Sequence, residues 1–331
     1  MPQKTVLAFL APGQGSQTPG MLADWLELPG AAERIAAWSD ISGLDLARLG
    51  TTATAEEITD TAVTQPLVVA ATLLAHEELA KRGILDESSE DTSIIAAGHS
   101  VGEIAAYAIA GIISADEAVS LAATRGAEMA KACALEPTGM SALLGGDEDE
   151  VLARLEALDL VPANRNAAGQ IVAAGAVSAL EKLAEDPPAR ARVRQLATAG
   201  AFHTRYMVTA LEGYTTVANR ITPAEISSPN VTLLSNADGR PVSSPADAMT
   251  KLVAQMTQPV RWDLCTATIR EIFEQASDVG GVTAIIEFPP AGTLTGIAKR
   301  ELKGTPAHPI KSPADLDGLA ATVTSSQAAP S

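Results

Sequence analysis

The sequence predicts an α/β protein in which a second, smaller α/β unit interrupts a larger one. Short apolar runs that suit buried strands alternate with longer helix-forming stretches, a pattern typical of a mostly parallel sheet covered by helices. A strand turns sharply into a helix near residue 100, and residues 138–200 carry a complete alternation of strands and helices of their own. With 331 residues, 47% of them hydrophobic, the chain is long enough for one large domain or two smaller ones.

The first strand is predicted at residues 5–11 and leads into a glycine-rich loop at 12–17. Such a loop can cradle a phosphate, but the Gly-Lys-Ser/Thr of a P-loop does not follow. We therefore favour a loop that brings backbone N–H groups close to a substrate. A long helix is predicted over 62–82, with Pro66 in its first turn, where the missing N–H costs nothing. Residues 86–92 are polar and predict a surface loop.

Residues 93–106 form the segment around which the chain is organised. An apolar run at 94–97 predicts a buried strand, the turn Gly98-His99-Ser100-Val101-Gly102 follows, and helix-forming residues come next. This is a G-x-S-x-G pattern in the strand–turn–helix context that a nucleophilic serine requires. At a helix N-terminus, Ser100 would meet unpaired N–H groups that favour negative charge. The alternative is that Ser100 only caps the helix, and the flanking elements favour a nucleophile.

Arg125 lies in a helix predicted from Ser114 to about Ala134, which opens with a capping box to Glu117. Two interpretations of Arg125 are open. Spacing alone favours a surface arginine or an ion pair with nearby Glu128. The other interpretation is a buried guanidinium that binds a carboxylate bidentately.

Residues 138–200 predict a small unit with the order β-α-β-β-α-β, which is that of the ferredoxin-like split motif. The predicted strands and helices are, in order, 139–144, 148–158, 161–166, 170–174, 176–184 and 192–199. About 60 residues suit a small inserted domain. We therefore expect a small domain at 136–200, a discontinuous large domain made of 1–135 and 201–320, and a disordered tail at 321–331. The large domain continues with strands at 231–234 and 282–288 and helices at 245–256 and 293–302.

A serine nucleophile needs a base, and the chain has four histidines. His99 adjoins Ser100 and is poorly aimed at it. His76 is predicted on a solvated helix face, and His308 lies near the end of the chain. His203 lies on a loop that enters a helix, so elimination makes it the best candidate, although a purely structural histidine is equally compatible. No aspartate stands out as its partner, so a backbone carbonyl or an asparagine would orient the ring.

Composition excludes several classes of function. The net charge of −17 argues against nucleic acid as the main partner, because phosphate binding requires a basic surface. Two cysteines provide neither a disulfide framework nor a cysteine zinc site. There is no apolar run long enough to span a membrane and no signal peptide, so we expect a cytoplasmic protein.

Six segments in register resemble the family of malonyl-CoA:acyl-carrier-protein transacylases, over residues 5 to about 303. These segments are Pro12–Gln17, Thr64–Pro66, Gly98–Glu103, Arg125, Asn166–Gln170 and Ala201–His203. The resemblance implies a large α/β-hydrolase-like domain interrupted by a ferredoxin-like one. It also implies transfer of a malonyl group from malonyl-CoA to acyl carrier protein in fatty acid biosynthesis, with no metal or other cofactor.

The resemblance assigns roles residue by residue. Ser100 would be the nucleophile and His203 the base and then the acid, with its ring held by the backbone carbonyl of Gln255. Backbone N–H groups of Gln14 and Val101 would form the oxyanion hole. Arg125 would bind the malonyl carboxylate, which reverses the interpretation that spacing favours. The remaining expected pocket residues are Gln65, Met129, Asn166 and Phe202, the last narrowing the space beside the substrate α-carbon.

A carrier protein is acidic and this chain is too, so docking would need a local basic patch. The resemblance places that patch at Lys299 and Arg300. The alternative is that both residues lie at a solvated helix end, where their positive charges interact favourably with the helix dipole. We expect a monomer with no nucleic acid and no membrane among its partners. Two alternative functions stay open, a serine esterase or thioesterase on the same fold and a non-catalytic subunit that binds carrier proteins.

Overall fold

The computed structural model describes residues 4–85, 89–226 and 228–319. The predicted tail at 321–331 lies outside the described residues, as do positions 86–88 of the predicted surface loop. The strands are β1 (Thr5–Ala11), β2 (Thr92–Gly98), β3 (Thr138–Gly145), β4 (Val161–Ala167), β5 (Gln170–Ala176), β6 (Ala191–Gln195), β7 (Val231–Leu233), β8 (Val260–Arg261), β9 (Val282–Glu287) and β10 (Ala307–Pro309).

The helices surround two sheets. They are α1 (Ala23–Leu26), α2 (Ala31–Ser42), α3 (Leu46–Thr51), α4 (Thr61–Lys81), α5 (Gly102–Ile109), α6 (Ala115–Cys133), α7 (Glu148–Ala157), α8 (Val177–Glu185), α9 (Leu211–Ala218), α10 (Pro245–Ala254), α11 (Trp262–Asp278) and α12 (Thr293–Glu301). Short 3₁₀ helices lie at Glu57–Thr59, Arg205–Ala210 and Gln255–Thr257. In the described residues no helix is both long enough and apolar enough to cross a membrane.

The larger sheet has the strand order β10-β9-β1-β2-β7, and every pairing in it is parallel. Successive side chains of a strand point to opposite faces, and in β1 both faces are buried. Leu7 and Phe9 join the core that contains α4, α5 and α6, while Ala8 and Leu10 join the core under α11 and α12. A parallel sheet covered on both faces confirms the predicted fold class.

The smaller sheet has the order β6-β3-β5-β4-β8 and is antiparallel except where β8 joins β4. Its first four strands, with α7 and α8, follow the predicted β-α-β-β-α-β order and enclose a core of their own. The fifth strand comes from residues 260–261, outside the segment 136–200, so the larger unit contributes one strand to the smaller sheet. We propose the domain division given above with β8 as the added strand.

The inserted segment leaves and rejoins the larger unit at nearly the same point. The Ala201 N–H donates a hydrogen bond of 3.1 Å to the Thr138 hydroxyl, across the two ends of the segment. Both groups are buried, so this bond closes the segment into a loop.

Helix ends follow the predicted chemistry with one exception. The capping box of α6 is present, with Ser114 and Glu117 each bonded to the other's backbone. The exception is α4, which begins at Thr61 because the Asp60 side chain caps it by accepting from the Ala62 N–H. Pro66 therefore lies in the second turn, and the expectation of a first-turn proline is wrong. A helix begins directly after its N-cap residue. The cap is Asp60, so the first helical residue is Thr61, one position earlier than predicted.

Candidate active site

The elbow at Ser100 joins the end of β2 to the start of α5. Ser100 has φ 55°, a left-handed backbone conformation that strains a residue with a side chain. A Cβ at Gly98 would lie 2.0 Å from the Gly102 carbonyl oxygen, and one at Gly102 would lie 2.2 Å from the Ala11 carbonyl oxygen. Only glycine fits on either side of the serine, which is the physical reason for the spacing seen in the sequence.

The structure brings His203 against Ser100 and the Gln255 backbone. Nε2 of His203 lies 2.7 Å from Ser100 Oγ, and Nδ1 lies 2.8 Å from the Gln255 carbonyl oxygen. A carbonyl can only accept, so Nδ1 carries the proton and Nε2 presents its lone pair to the serine hydroxyl. The ring is thus held by a backbone carbonyl, one of the two orienting groups that the sequence left open.

His203 is 2% exposed, and this burial lowers the pKa of its imidazole to about 3, assisted by the nearby positive charge of Arg125. The hydrogen bond to Gln255 acts in the opposite direction and is outweighed. The imidazole is therefore neutral at neutral pH and able to accept a proton from Ser100. Like Ser100, His203 has a left-handed backbone, with φ 60°.

Arg125 is buried, with 1% of its surface exposed, and faces the same point from α6. Its guanidinium donates to Gln65 Oε1 at 2.7 Å, to Gln255 Oε1 at 2.9 Å and to Ser100 Oγ at 3.4 Å. Burial lowers the pKa of the guanidinium. The interpretation as a surface arginine or an ion pair with Glu128 is wrong, because the side chain is buried and donates to Gln65 and Gln255, while Glu128 pairs with Lys131.

The two backbone N–H groups predicted for the oxyanion hole differ from that of Ser100 in having no partner in the part of the chain that the structure describes. The Gln14 N–H and the Val101 N–H have no acceptor among the described residues, whereas the Ser100 N–H donates to Asn236 Oδ1 at 2.9 Å. Gln14 is fixed through its side chain, which donates to Thr61 Oγ1 at 3.1 Å. Two available donors, one of them at the start of a helix, suit a developing negative charge.

A cavity of about 480 Å³ opens onto these groups, between the carboxyl ends of β1 and β2 and the smaller sheet. Phe202 and Met129 line it, and the Met129 sulfur accepts a hydrogen bond from Gln65. Asn166 also lines it, with its Oδ1 2.8 Å from His99 Nε2. The cavity is lined by all of the sequence-predicted pocket residues, namely Gln65, Arg125, Met129, Asn166 and Phe202.

The predicted docking residues lie at the end of α12, beside the rim of the cavity, which Gln170 and Ile297 line. Lys299 and Arg300 are exposed in its last turn, and the Arg300 guanidinium donates to the Gln170 side chain. Leu294 and Ile297 of the same helix line the cavity. The helix therefore runs from the cavity wall to a basic end.

Sequence reasoning missed two polar residues beneath the site. Glu103 and Asn236 are fully buried, and Asn236 donates to the Gly98 carbonyl as well as accepting from the Ser100 N–H. Glu103 carried a readable signal, since it is the one charged residue in the otherwise apolar start of α5. The only signal for Asn236 was its position shortly after β7, at the edge of the sheet where the parallel strands end.

The other histidines do not reach Ser100 Oγ. His76 is half-buried and packs edge-on against Phe9 and Phe288, so the predicted solvated position is wrong. His308 is in β10. In the parts of the chain that the structure describes, no three His, Cys, Asp or Glu side chains are grouped as a metal site would require.

The fold and the serine–histidine pair at a glycine-flanked elbow define an acyl-transferring enzyme of the serine type. The chain belongs to the acyl transferase domain family, whose sequence profile matches residues 8–317.

Within that family the chain is similar to malonyl CoA-acyl carrier protein transacylases. That of Mycolicibacterium smegmatis is 77% identical over 299 residues, covering 90% of this chain and 99% of the relative. The crystal structure of MCAT from Mycobacterium tuberculosis has a TM-score of 0.88 at 70% identity, covering 95% and 99% of the two chains. A malonyl-transacylase in complex with a type II PKS acyl-carrier protein has a TM-score of 0.83 at 28% identity, covering 96% and 99%.

Proposed function

We propose that this chain is an S-malonyltransferase that moves a malonyl group from malonyl-CoA to the phosphopantetheine thiol of acyl carrier protein, in fatty acid biosynthesis. The observation that carries the proposal is the buried guanidinium of Arg125, 3.4 Å from Ser100 Oγ. An acyl enzyme without a charged substrate has no use for a buried cation, which costs free energy wherever no anion pairs with it. The names of the similar proteins support the same substrates.

The first half-reaction acylates Ser100. His203 Nε2 takes the hydroxyl proton while Oγ attacks the malonyl thioester carbon, and the Gln14 and Val101 N–H groups stabilise the oxyanion. The tetrahedral intermediate collapses by breaking the carbon–sulfur bond, and His203 returns its proton to the CoA sulfur. A malonyl-serine ester and free CoA result.

The second half-reaction reverses these roles with a new thiol. His203 takes the proton from the phosphopantetheine thiol, whose sulfur attacks the ester carbon. Collapse breaks the bond to Ser100 Oγ, which regains the proton from His203. Each half-reaction balances in protons and bonds through the chain's own groups and requires no metal and no cofactor.

Substrate selection is assigned to the cavity wall opposite Ser100. Arg125 would bind the malonyl carboxylate with the part of its guanidinium that Gln65 and Gln255 leave free. Phe202, which is 6% exposed, would limit branching at the substrate α-carbon, while Met129 and Asn166 fill the remaining wall.

Docking of the acidic carrier protein is assigned to Lys299 and Arg300. The chain carries a net charge of −17, so an acidic partner needs these cations locally. A similar malonyl-transacylase forms a complex with an acyl-carrier protein, which supports a partner of this kind. We further propose that the protein acts as a monomer in the cytoplasm.

Intact-mass analysis after mixing with malonyl-CoA tests the proposal. We expect a malonyl adduct on the native chain, its loss when holo acyl carrier protein is added, and no adduct on Ser100→Ala. Hydrolysis of malonyl-CoA at a rate independent of carrier protein would instead favour the esterase or thioesterase alternative. Absence of any adduct on the folded native chain would favour the non-catalytic alternative.

A further inference from the structure

Glu103 is a buried carboxyl group directly beneath the elbow, three residues after Ser100. It is 0% exposed and is held on both sides. One oxygen accepts a hydrogen bond of 2.7 Å from the Asn236 N–H, and the other accepts from the side-chain amide of Gln255. Burial raises the pKa of this carboxyl to about 7, against the hydrogen bonds and the charge of Arg125, which lower it.

The side chain of Gln255 lies between Glu103 and Arg125. Its NH₂ group faces only acceptors, namely the Glu103 carboxylate, the Ser100 carbonyl at 3.1 Å and Asn236 Oδ1 at 3.2 Å. Its oxygen faces a donor, the Arg125 guanidinium, at 2.9 Å. Only one orientation of the amide satisfies this arrangement, and a flipped amide would place NH₂ against the guanidinium.

We propose that Glu103 is a positioning residue for malonyl selection: by accepting from the Gln255 amide, it fixes the amide oxygen toward Arg125 and so holds the guanidinium beside Ser100. The inference rests on the proposed function, because it assigns a support to the residue that would bind the malonyl carboxylate. Glu103 itself does not line the cavity and is not a catalytic residue.

There is a physical reason why Glu103 acts on Arg125 through the Gln255 amide and not by direct contact. A carboxylate in direct contact with Arg125 would occupy the bidentate fork that the malonyl carboxylate needs. With the amide between them, Glu103 leaves the edge of the guanidinium toward Ser100 free, and above its pKa of about 7 it offsets part of the buried positive charge. The Arg125 Nε, also buried, has no acceptor within the described part of the chain, which is consistent with a fork left open for a ligand.

The substitution Glu103→Gln separates this role from simple charge balance. The side chain keeps its size, but one of its two acceptor oxygens becomes NH₂. The backbone N–H of Asn236 cannot turn, so it keeps the oxygen, and the new NH₂ faces Gln255. The Gln255 NH₂, which the Ser100 carbonyl and Asn236 Oδ1 also accept from, then meets a donor in place of an acceptor. Flipping the amide would instead turn its NH₂ toward Arg125, so either orientation weakens the support of the guanidinium. Charge balance alone predicts the opposite result, because removing a negative charge strengthens the attraction between Arg125 and malonyl.

The experiment measures acylation of Ser100 by malonyl-CoA and by acetyl-CoA, with kcat and KM determined separately. For Glu103→Gln we expect KM for malonyl-CoA to rise about tenfold with kcat little changed, because a contact made in both ground and transition states is weakened. Acetyl-CoA, which has no carboxylate to bind, should change less than about threefold. Gln255→Leu, which keeps the backbone carbonyl for His203, should show the same selective loss, and the double variant should lose no more than either single one.

Glu287→Gln is the matched control, since Glu287 is equally buried and accepts from three backbone N–H groups at the start of α12, away from this network. It should lower thermal stability without changing the malonyl-to-acetyl ratio. If Glu103→Gln does not fold, Glu103→Asp carries the test, because it keeps a carboxyl group but withdraws it from the Gln255 amide, and the same selective loss is expected.

A raised malonyl-to-acetyl ratio in Glu103→Gln, or equal losses with both substrates in Glu103→Gln or Gln255→Leu, would overturn the positioning role. Failure of the native chain to form a malonyl adduct would instead overturn the proposed function, so the two failures are distinguishable.

Discussion

Replacing Arg125 with alanine removes the only cation that the structure places within hydrogen-bond distance of Ser100 Oγ among the described residues. The side chain is 1% exposed, so a carboxylate bound to it would be shielded from water. The substitution also leaves the Gln65 and Gln255 amide oxygens without the donor that each now has. Arg125→Met is a companion variant that fills more of the volume while removing the charge.

The magnitude follows from the loss of one partner of a buried charge pair. Such a loss costs about 2–5 kcal/mol, much of it from leaving the other charge buried and unpaired. At about 1.4 kcal/mol per tenfold, kcat/KM for malonyl-CoA should fall at least about 30-fold. Each orphaned amide oxygen costs about 1–3 kcal/mol of stability, partly offset because the free energy of burying a lone guanidinium is recovered.

The assay compares malonyl-CoA and acetyl-CoA on Arg125→Ala and Arg125→Met. Acetyl-CoA presents no carboxylate, so its rate should hold or rise and selectivity should fall sharply. Lys131→Ala is the matched control, because Lys131 lies on the same helix with its side chain 71% exposed. It should change neither rate. Small, parallel losses with both acyl donors on the Arg125 variants would refute the carboxylate-binding role.

Three further predictions concern protonation and docking. In NMR spectra of labelled histidine, His203 should remain neutral with the proton on Nδ1 from pH about 8 to about 5, since burial lowers its pKa to about 3, and a midpoint near the ordinary 6.5 would contradict this. The folded state binds the Glu103 proton more tightly than the unfolded chain, so the contribution of Glu103 to stability should be fully present below about pH 4.5 and be lost as pH rises through about 7. Glu103→Gln should lack this contribution of about 3 kcal/mol, measured as the difference between the two urea-unfolding profiles. Lys299→Glu with Arg300→Glu should weaken transfer to carrier protein, less so at high salt, and spare acylation by malonyl-CoA; equal loss in both steps would indicate a structural role instead.

Features that depend on neighbouring residues could be predicted from the sequence. The elbow follows from two glycines that leave no room for a Cβ, and the capping box of α6 follows from Ser114 and Glu117 three residues apart. The β-α-β-β-α-β order of the inserted segment follows from periodicity within about 60 residues. Each of these patterns is short enough to be read without knowing how the chain folds back on itself.

Features that depend on residues far apart in the chain could not be predicted from the sequence. Gln255 meets the Ser100 carbonyl across 155 positions, and nothing near either residue indicates the contact. From the sequence, elimination could not distinguish a catalytic His203 from a structural one. The features that distinguish them, its left-handed backbone and its carbonyl partner, arise only from tertiary packing. Arg125 illustrates the same limit, since local spacing favoured Glu128 and only the packing of α6 against α4 buries the guanidinium beside Gln65.

The bond between Ala201 and Thr138 holds the two ends of the inserted segment together, and β8 of the larger unit is the strand that a replacement segment would have to pair with. The two ends are already joined, so a hybrid chain with crossovers at these positions need not move His203, which follows two residues later. Yet the segment supplies a wall of the cavity, through Met140, Asn164 and Val172. Arg125 and Phe202 lie outside the segment, as do Ser100 and His203, so a changed segment would alter one wall of the pocket and leave the carboxylate-binding residue and the reacting pair in place.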